Sequence, residues 1–357
     1  MDGLGPRPER RGERGFPWRA AMSRTLVTGA HGFVASHLAA ALLARGDAVR
    51  VLDRPAPREA DVGGERLSGL DLLGVRGEVE LAEGDLRDAG AVAAAVAGCD
   101  TVFHLAAQTI VGVARESPLE TLETNVLGAW NVFEACREHA VARAVFASSD
   151  KAYGASPELP YREDFPLRAA YPYDASKAAA DIVARSYAHA YGVPIAVTRF
   201  ANIYGGGDLN FSRLIPEAIV AALDGRPPAI RSDGSPERDF LHVDDAVSAY
   251  LAIAAALDRP GAAGEAFNAG GERPHSVREV VETIAAIAGG GAEPDFQGSG
   301  TPDGEIDRQF VDSTKLRELT GWAPLIGLEE GLRRALAWYR EHPEARPAPT
   351  QAHHSPQ

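Results

Sequence analysis

Cysteine is scarce: the chain has two in 357 residues, Cys99 and Cys136, far apart and without metal-ligand spacing. That excludes a disulfide framework and a cysteine metal centre, and fits reduced, buried thiols in a cytoplasmic protein. Positive charge is also short. Lys and Arg number 36 against 50 Asp and Glu, a formal net charge of −14. No basic stripe offsets it, so nucleic acid is not an expected partner. No apolar run is long enough to span a membrane, so no membrane partner is expected either. The first 21 residues are rich in Arg, Gly and Pro and lack the apolar core of a secretory signal. Residues 1–22 read as a disordered leader, with Met22 as an alternative start. The Pro-, Ala- and His-rich tail over 341–357 reads as disordered too. His353-His354 reads as part of a solvated tail, not as a metal site. There is no internal repeat. A hydrophobic content of 45% is that of an ordinary globular protein with a large core.

What is present is a glycine turn in a telling context. The apolar run Thr25-Leu26-Val27-Thr28 leads into Gly29-Ala30-His31-Gly32-Phe33-Val34-Ala35. Apolar residues then recur at helical spacing: Phe33, Val34, Leu38, Ala41, Leu42. Strand, tight turn and helix N-terminus form the Rossmann arrangement that binds the pyrophosphate of a dinucleotide. Gly29 permits the sharp turn, Gly32 lets phosphate oxygens approach, and the helix amides supply donors. His31, Phe33 and Val34 belong to the same cradle. Ala35 stands where the usual pattern has its third glycine. A second apolar run, Ala48 to Leu52, ends in Asp53 about two dozen residues on, where a carboxylate accepts both ribose hydroxyls of NAD. Arg54 beside it keeps NADP as the alternative.

Further runs alternate. Strands are expected at 79–81, 101–105, 144–147 and 195–199, with helices at 91–97, 122–139 and 175–191. Such alternation implies an α/β fold, a doubly wound parallel sheet, with ligands beyond the carboxyl ends of its strands. Asp53, Asp85, Ala106, Ser149 and Phe200 fall on that one edge. Past Phe200 the pattern breaks at Gly205-Gly206-Gly207, Pro227-Pro228 and Gly289-Gly290-Gly291. The reading is a Rossmann domain over 23–200 and a smaller, largely helical substrate-binding domain over 201–340, with room for the chain to return to the first domain near 240–270.

Tyr173 and Lys177 lie one helical turn apart on one face, where the ammonium would favour the phenolate and hold the nicotinamide ribose. Ser149, at a strand end, would bond a substrate hydroxyl. Tyr173 would remove its proton as the adjacent carbon gives hydride to NAD. His104, at a strand end, reads as structural, and His242 as a packing or turn residue. Asp244-Asp245 resembles a metal pair but reads better as the N-cap of a helix over 246–256.

Over roughly Ser23 to Tyr339 the chain resembles the extended short-chain dehydrogenase/reductase family, the nucleotide-sugar epimerases and dehydratases. The motifs are the glycine turn, His104-Leu105-Ala106-Ala107, Thr124-Asn125-Val126-Leu127-Gly128, Tyr173 with Lys177, Arg199 to Gly205, Arg238 to Asp245, and Gly321-Trp322-Ala323-Pro324. The resemblance implies tightly held NAD, regenerated within one turnover, and a nucleoside-diphosphate sugar as substrate. It implies cofactor contacts from Asp85, Leu86, Leu105, Ala106, Ala107, Phe200, Asn202 and Ile203. It implies substrate contacts from Gln108, Asn125, Ser149, Asn202, Leu214, Arg238 and Arg308. A homodimer built through a four-helix bundle is a further implication.

The residues after the serine separate the reactions. A 4-epimerase needs serine, tyrosine and lysine alone. Asp150-Lys151 adds an acid and a base, which a 4,6-dehydratase requires once a C4 ketone has made the C5 proton acidic. Ser149-Asp150-Lys151 resembles the CDP-glucose 4,6-dehydratases, in which lysine holds the base position. Arg238-Asp239-Phe240 with His242-Val243-Asp244-Asp245 is instead the generic epimerase form. The expectation is a 4,6-dehydratase. The alternatives are a 4-epimerase, or another enzyme of the same 4-keto intermediate, and a non-catalytic NAD-binding protein.

Overall fold

A computed structural model describes residues 23–55, 68–290, 293–301 and 306–347. The leader and His353-His354 lie outside the described residues.

Seven strands form one sheet: β1 (Arg24–Thr28), β2 (Ala48–Asp53), β3 (Glu80–Glu83), β4 (Thr101–His104), β5 (Arg143–Ala147), β6 (Ile195–Phe200) and β7 (Ala266–Ala269). Their order is β7-β6-β5-β4-β1-β2-β3, and every pair is parallel. The order reverses at β1, whose neighbours are β2 and β4, and the crevice of a doubly wound sheet opens at that point.

Both faces of the sheet are covered, and the strands show it residue by residue. Val27, Val51, Phe103, Val145 and Ala196 pack into one core; Leu26, Leu52, Val102, Phe146 and Val197 pack into the other. That period of two, apolar on both sides, is what a parallel sheet between two helical layers requires. The first layer holds α1 (Phe33–Ala44), through Leu38 and Leu42. The second holds α2 (Ala89–Val96), α3 (Gly128–Glu138) and α4 (Pro172–Tyr191), through Val92, Phe133 and Ala184.

After β6 the chain leaves the sheet to make α5 (Leu214–Leu223). It returns with α6 (Val243–Ala256), which joins α1 in the first layer, and with β7 at the sheet edge. It then leaves again for α7 (Val277–Ile287) and α8 (Leu328–Glu341). Ile219, Ile284, Leu336 and Tyr339 join α5, α7 and α8 in a separate core. Two- and three-residue strands bridge this part to the sheet, among them Glu237–Arg238 between His275–Ser276 and Arg308–Gln309.

Three expectations shift. β3 begins one residue later than the apolar run and extends to Glu83, because the register with β2 pairs Leu52 with Ala82 and Asp53 with Glu83. The helix expected over 122–139 starts earlier, at Pro118, and runs on through a wider π-type segment at Glu123–Leu127 into α3. The helix expected at 246 begins at Val243, so the aspartates do not cap it. His242 Nδ1 accepts from the Asp244 amide at 3.2 Å and is the cap. Asp245 instead accepts from the amides of Leu325 and Ile326 at 3.0 and 2.9 Å, pinning the segment ahead of α8. Among the described residues no group of three metal-ligating side chains exists.

Candidate active site

The glycine turn has the form a dinucleotide needs. Gly29 has φ +78°, and a Cβ there would lie 2.7 Å from Ala106 Cα, so glycine is required both by conformation and by the loop after β4. Gly32 is exposed at the N-terminus of α1. No side chain caps that helix and its first turn holds no acid, which leaves its amides for a phosphate. Asp53 Oδ2 accepts from the His31 amide at 2.9 Å and Oδ1 from the Arg54 amide at 2.8 Å, tying the end of β2 to the turn. His31 Nδ1 is buried without a partner. The residues present fit the dinucleotide.

Thr28 supplies a contact that its motif does not reveal. Its Oγ1 accepts from the amides of Leu105 at 3.2 Å and Ala106 at 3.1 Å, so its proton is left for His104 Nδ1 at 2.8 Å. His104 is buried and stacked on Phe146, and burial pushes it down to about 3, so it stays neutral. Its role is to hold the loop that faces Gly29. On the other side of the sheet Asp85 pairs with Arg87, Nη2 to Oδ2 at 2.7 Å, which lowers its carboxyl below the ordinary value. Asn131 holds the Leu86 carbonyl at 2.8 Å.

Asn125 is a clamp. Its Oδ1 accepts from the Gln108 amide at 2.8 Å, and its Nδ2 donates to the Gln108 carbonyl and to Ser176 Oγ, each at 2.9 Å. Buried, with both amide protons spent and its oxygen engaged, it fixes the loop after β4 against α4. Gln108 folds onto its own loop, its Oε1 accepting from the Ile110 amide at 2.6 Å.

Ser149, at the end of β5, caps a 3-10 turn over Asp150–Tyr153, with its Oγ accepting from the Lys151 amide at 3.2 Å. The same hydroxyl donates to Asp150 Oδ1 at 3.2 Å and lies near enough to the Tyr173 phenol to pull its pKa down. Serine, acid and phenol therefore meet. Asp150 is 3% exposed and its Oδ2 is buried with no partner. Burial pushes its carboxyl up to about 6, against the pull of Lys151, Ser149 and Arg238. Lys151 lies between two buried carboxylates, Asp150 and Asp174, each of which feels its charge.

The Tyr173–Lys177 pair is brought together on α4, but not as a charge–phenol couple. Lys177 Nζ donates to the Ala147 carbonyl at 2.8 Å, and burial pushes it down to about 7. Burial pushes Tyr173 up to about 12, with Arg213 and Ser149 pulling against it. Arg213 immediately precedes α5, and its nearness to Tyr173 depends on where that helix docks.

The substrate-side residues arrive less uniformly. Asn202 Nδ2 donates to the Asp239 carbonyl at 3.2 Å, beside Phe200 and Ile203, and Leu214 opens α5. Arg238 feels Asp150 and donates to the Asp307 carbonyl at 2.9 Å. Arg308 pairs with Glu237, 2.6 Å apart, at the surface, on the opposite face of its short strand from Arg238. The neighbour that shares Arg238's face is Gln309, which is fully buried with neither amide atom bonded. Nothing in the sequence marked it. An orphaned buried amide is a feature of packing, and packing is not visible in a motif.

Comparison with known proteins places this geometry. The model of the NAD dependent epimerase/dehydratase family matches residues 25–270. A UDP-glucose 4-epimerase of Mycolicibacterium smegmatis is 33% identical, over 89% of this chain and 98% of that protein. A dTDP-glucose 4,6-dehydratase of Streptomyces griseus is 34% identical, over 89% and 94%. The crystal structure of a Streptomyces venezuelae dTDP-glucose 4,6-dehydratase with NAD bound superposes with a TM-score of 0.80 at 30% identity, covering 90% of this chain and 98% of that one.

Proposed function

The chain belongs to the NAD-dependent epimerase/dehydratase family, and from that premise we propose that it is a nucleotide-sugar 4,6-dehydratase, converting an NDP-hexose to its 4-keto-6-deoxy form with loss of one water. The observation that carries the reading is Asp150: a buried carboxyl held near 6, bonded to Ser149 through one oxygen and unpartnered at the other. Such a group is half protonated at about pH 6, where an ordinary carboxyl is ionised, and can give a proton to a departing hydroxyl. Bound NAD supplies the hydride acceptor and, later in the same turnover, the donor. Gly29, Gly32, Asp53 and the loop at Leu105–Ala107 would hold it, with Lys177 at the ribose. Ser149 would hold O4 while Tyr173, as the phenolate that the Arg213 charge and the Ser149 hydroxyl favour, takes its proton. Lys151, entering as the neutral amine, would then take the C5 proton as the C6–O bond breaks, and Asp150 would protonate that oxygen to release water. Lys151 would return a proton to C5 as C6 receives the hydride. Arg238 and Asn202 would meet the diphosphate, with Gln309 paired to Arg238 on the neighbouring strand.

A 4-epimerase would use Ser149, Tyr173 and Lys177 and leave Asp150 without a task. The test is product mass. Holoenzyme given UDP-, dTDP-, CDP- and GDP-hexoses should yield one product lighter by a water, and an isomer of unchanged mass would contradict the reading.

A homodimer is part of the proposal. Leu119, Leu127, Trp130 and Ile182 are exposed on and beside α3 and α4, large apolar side chains that a second copy would cover. Light scattering should show twice the chain mass. A cytoplasmic location accords with two free, buried thiols, and among the described residues no helix is long and apolar enough to cross a membrane.

A further inference from the structure

Tyr173, Lys177 and Asp181 are spaced by four on α4 and share one face. The first two serve the site, and the third points to something else. Asp181 is 0% exposed, and its two oxygens bind Arg199, itself 1% exposed, at 2.8 Å (Nε) and 3.0 Å (Nη2). The remaining guanidinium nitrogen donates to the Tyr153 hydroxyl at 3.0 Å and to the Glu163 carbonyl at 3.3 Å. Tyr153 in turn donates to Asn268 Oδ1, on β7, at 2.8 Å. Its ring is stacked on Tyr161 at 4.8 Å and lies under the Arg199 guanidinium at 4.9 Å.

Tyr153 is the last residue of the turn that carries Asp150 and Lys151. The turn closes immediately after it, where the Gly154 amide donates to the Lys151 carbonyl at 3.0 Å and the Tyr161 hydroxyl to the Gly154 carbonyl. One continuous chain of buried polar contacts therefore links the helix of Tyr173 and Lys177 to the far end of the Asp150–Lys151 turn.

Stability gives no reason for this arrangement. Apolar residues of the same volume commonly hold a core as well as a buried ion pair does, because the pair must first be stripped of water. What a bidentate arginine–carboxylate pair provides is fixed geometry. We propose that Asp181, Arg199 and Tyr153 form a strut that fixes the Asp150–Lys151 pair against the Tyr173–Lys177 pair, making Tyr153 a positioning residue for water loss and not for oxidation. The inference rests on the dehydratase reading, in which two pairs must act on neighbouring carbons of one sugar ring. Oxidation needs only groups on α4 and Ser149. Elimination needs the turn to be placed correctly relative to them, and a misplacement of about 1 Å costs on the order of a hundredfold.

Tyr153→Phe keeps the ring, its stack on Tyr161 and its contact with the guanidinium, and removes only the hydroxyl. In the holoenzyme, with the NDP-hexose that the wild type converts, the rate of water loss should fall about tenfold to a hundredfold while the oxidation rate stays as it was. Absorbance of the reduced cofactor should then build up during turnover. Asn268→Ser removes the hydroxyl's acceptor with Tyr153 in place, should show the same build-up, and decides the matter should Tyr153→Phe fail to fold. Equal slowing of both steps in the folded variants, or no change in either, would overturn the strut. A wild type that yields only an isomer would instead retract the dehydratase reading before any variant is made.

Discussion

At the cofactor turn the groups held are backbone amides. Gly29 fits because it has no Cβ, Asp53 bonds two amides, and Thr28 secures the opposing loop through two more. At the Asp150–Lys151 turn, side chains do the holding: Ser149 caps one end, and the Tyr153–Arg199–Asp181 chain fixes the other. The first device rests on a missing Cβ and on two short side chains that meet main-chain amides, and its glycine turn is that of a Rossmann dinucleotide site. The second depends on particular polar atoms, and so can set which reaction follows oxidation. Under the proposed function, one half of the site would make a 4-keto sugar possible, and the other would decide what becomes of it.

That division can be broken at four places. The largest effect is expected from Tyr173→Phe, which removes the proton acceptor at O4. Both oxidation and water loss should fall by about a thousandfold or more, with NAD still bound, as stopped-flow absorbance and cofactor content would show. Gly29→Val adds a branched side chain at φ +78° against Ala106. Holoenzyme should then be recovered with little cofactor, and the loss of affinity should be on the order of a hundredfold, read by titration with NAD.

Asp150→Asn separates chemistry from stability. Water loss should drop about a hundredfold, while oxidation persists. The folded value of Asp150 lies above its ordinary 3.8, so stability linked to its proton is present below that value and is lost as pH rises through about 6. Asparagine has no such loss. The variant should therefore match wild type near pH 4 and exceed it at pH 8 by about 1–3 kcal/mol, measured by denaturant unfolding of the apoprotein at both pH values. The smallest contrast is between two arginines. Arg238→Ala should raise KM about tenfold with kcat little changed, by loss of a charge-assisted contact. Arg308→Ala, an exposed pair with Glu237, should change KM less than threefold or so.

The sheet and its ligand-bearing edge were legible because each rests on local signals. Alternating apolar runs give the strands, Gly29 and Gly32 give the turn, and Tyr173 with Lys177 share a helical face by spacing alone. What failed was set by contact between distant segments. Asp244-Asp245 carry the residue type of an N-cap, but the geometry gives that place to His242 and sends Asp245 to Leu325 and Ile326. Lys177 has the spacing to charge-stabilise a phenolate, yet the Ala147 carbonyl at the end of β5 takes its ammonium. Asn125 was read as a ligand by position, but its amide is consumed by Gln108 and Ser176. Gln309 and Tyr153 carried no signal, since neither belongs to a local pattern and each acquires its role from residues far away in the chain.

The central claim is that one turnover moves a hydride from C4 to C6 while Asp150 and Lys151 remove water between them. An NDP-hexose carrying deuterium at C4, converted by the wild-type holoenzyme, tests it directly. The expected product is lighter by one water and carries that deuterium at C6. Deuterium found at C4 of an unchanged-mass isomer would contradict it.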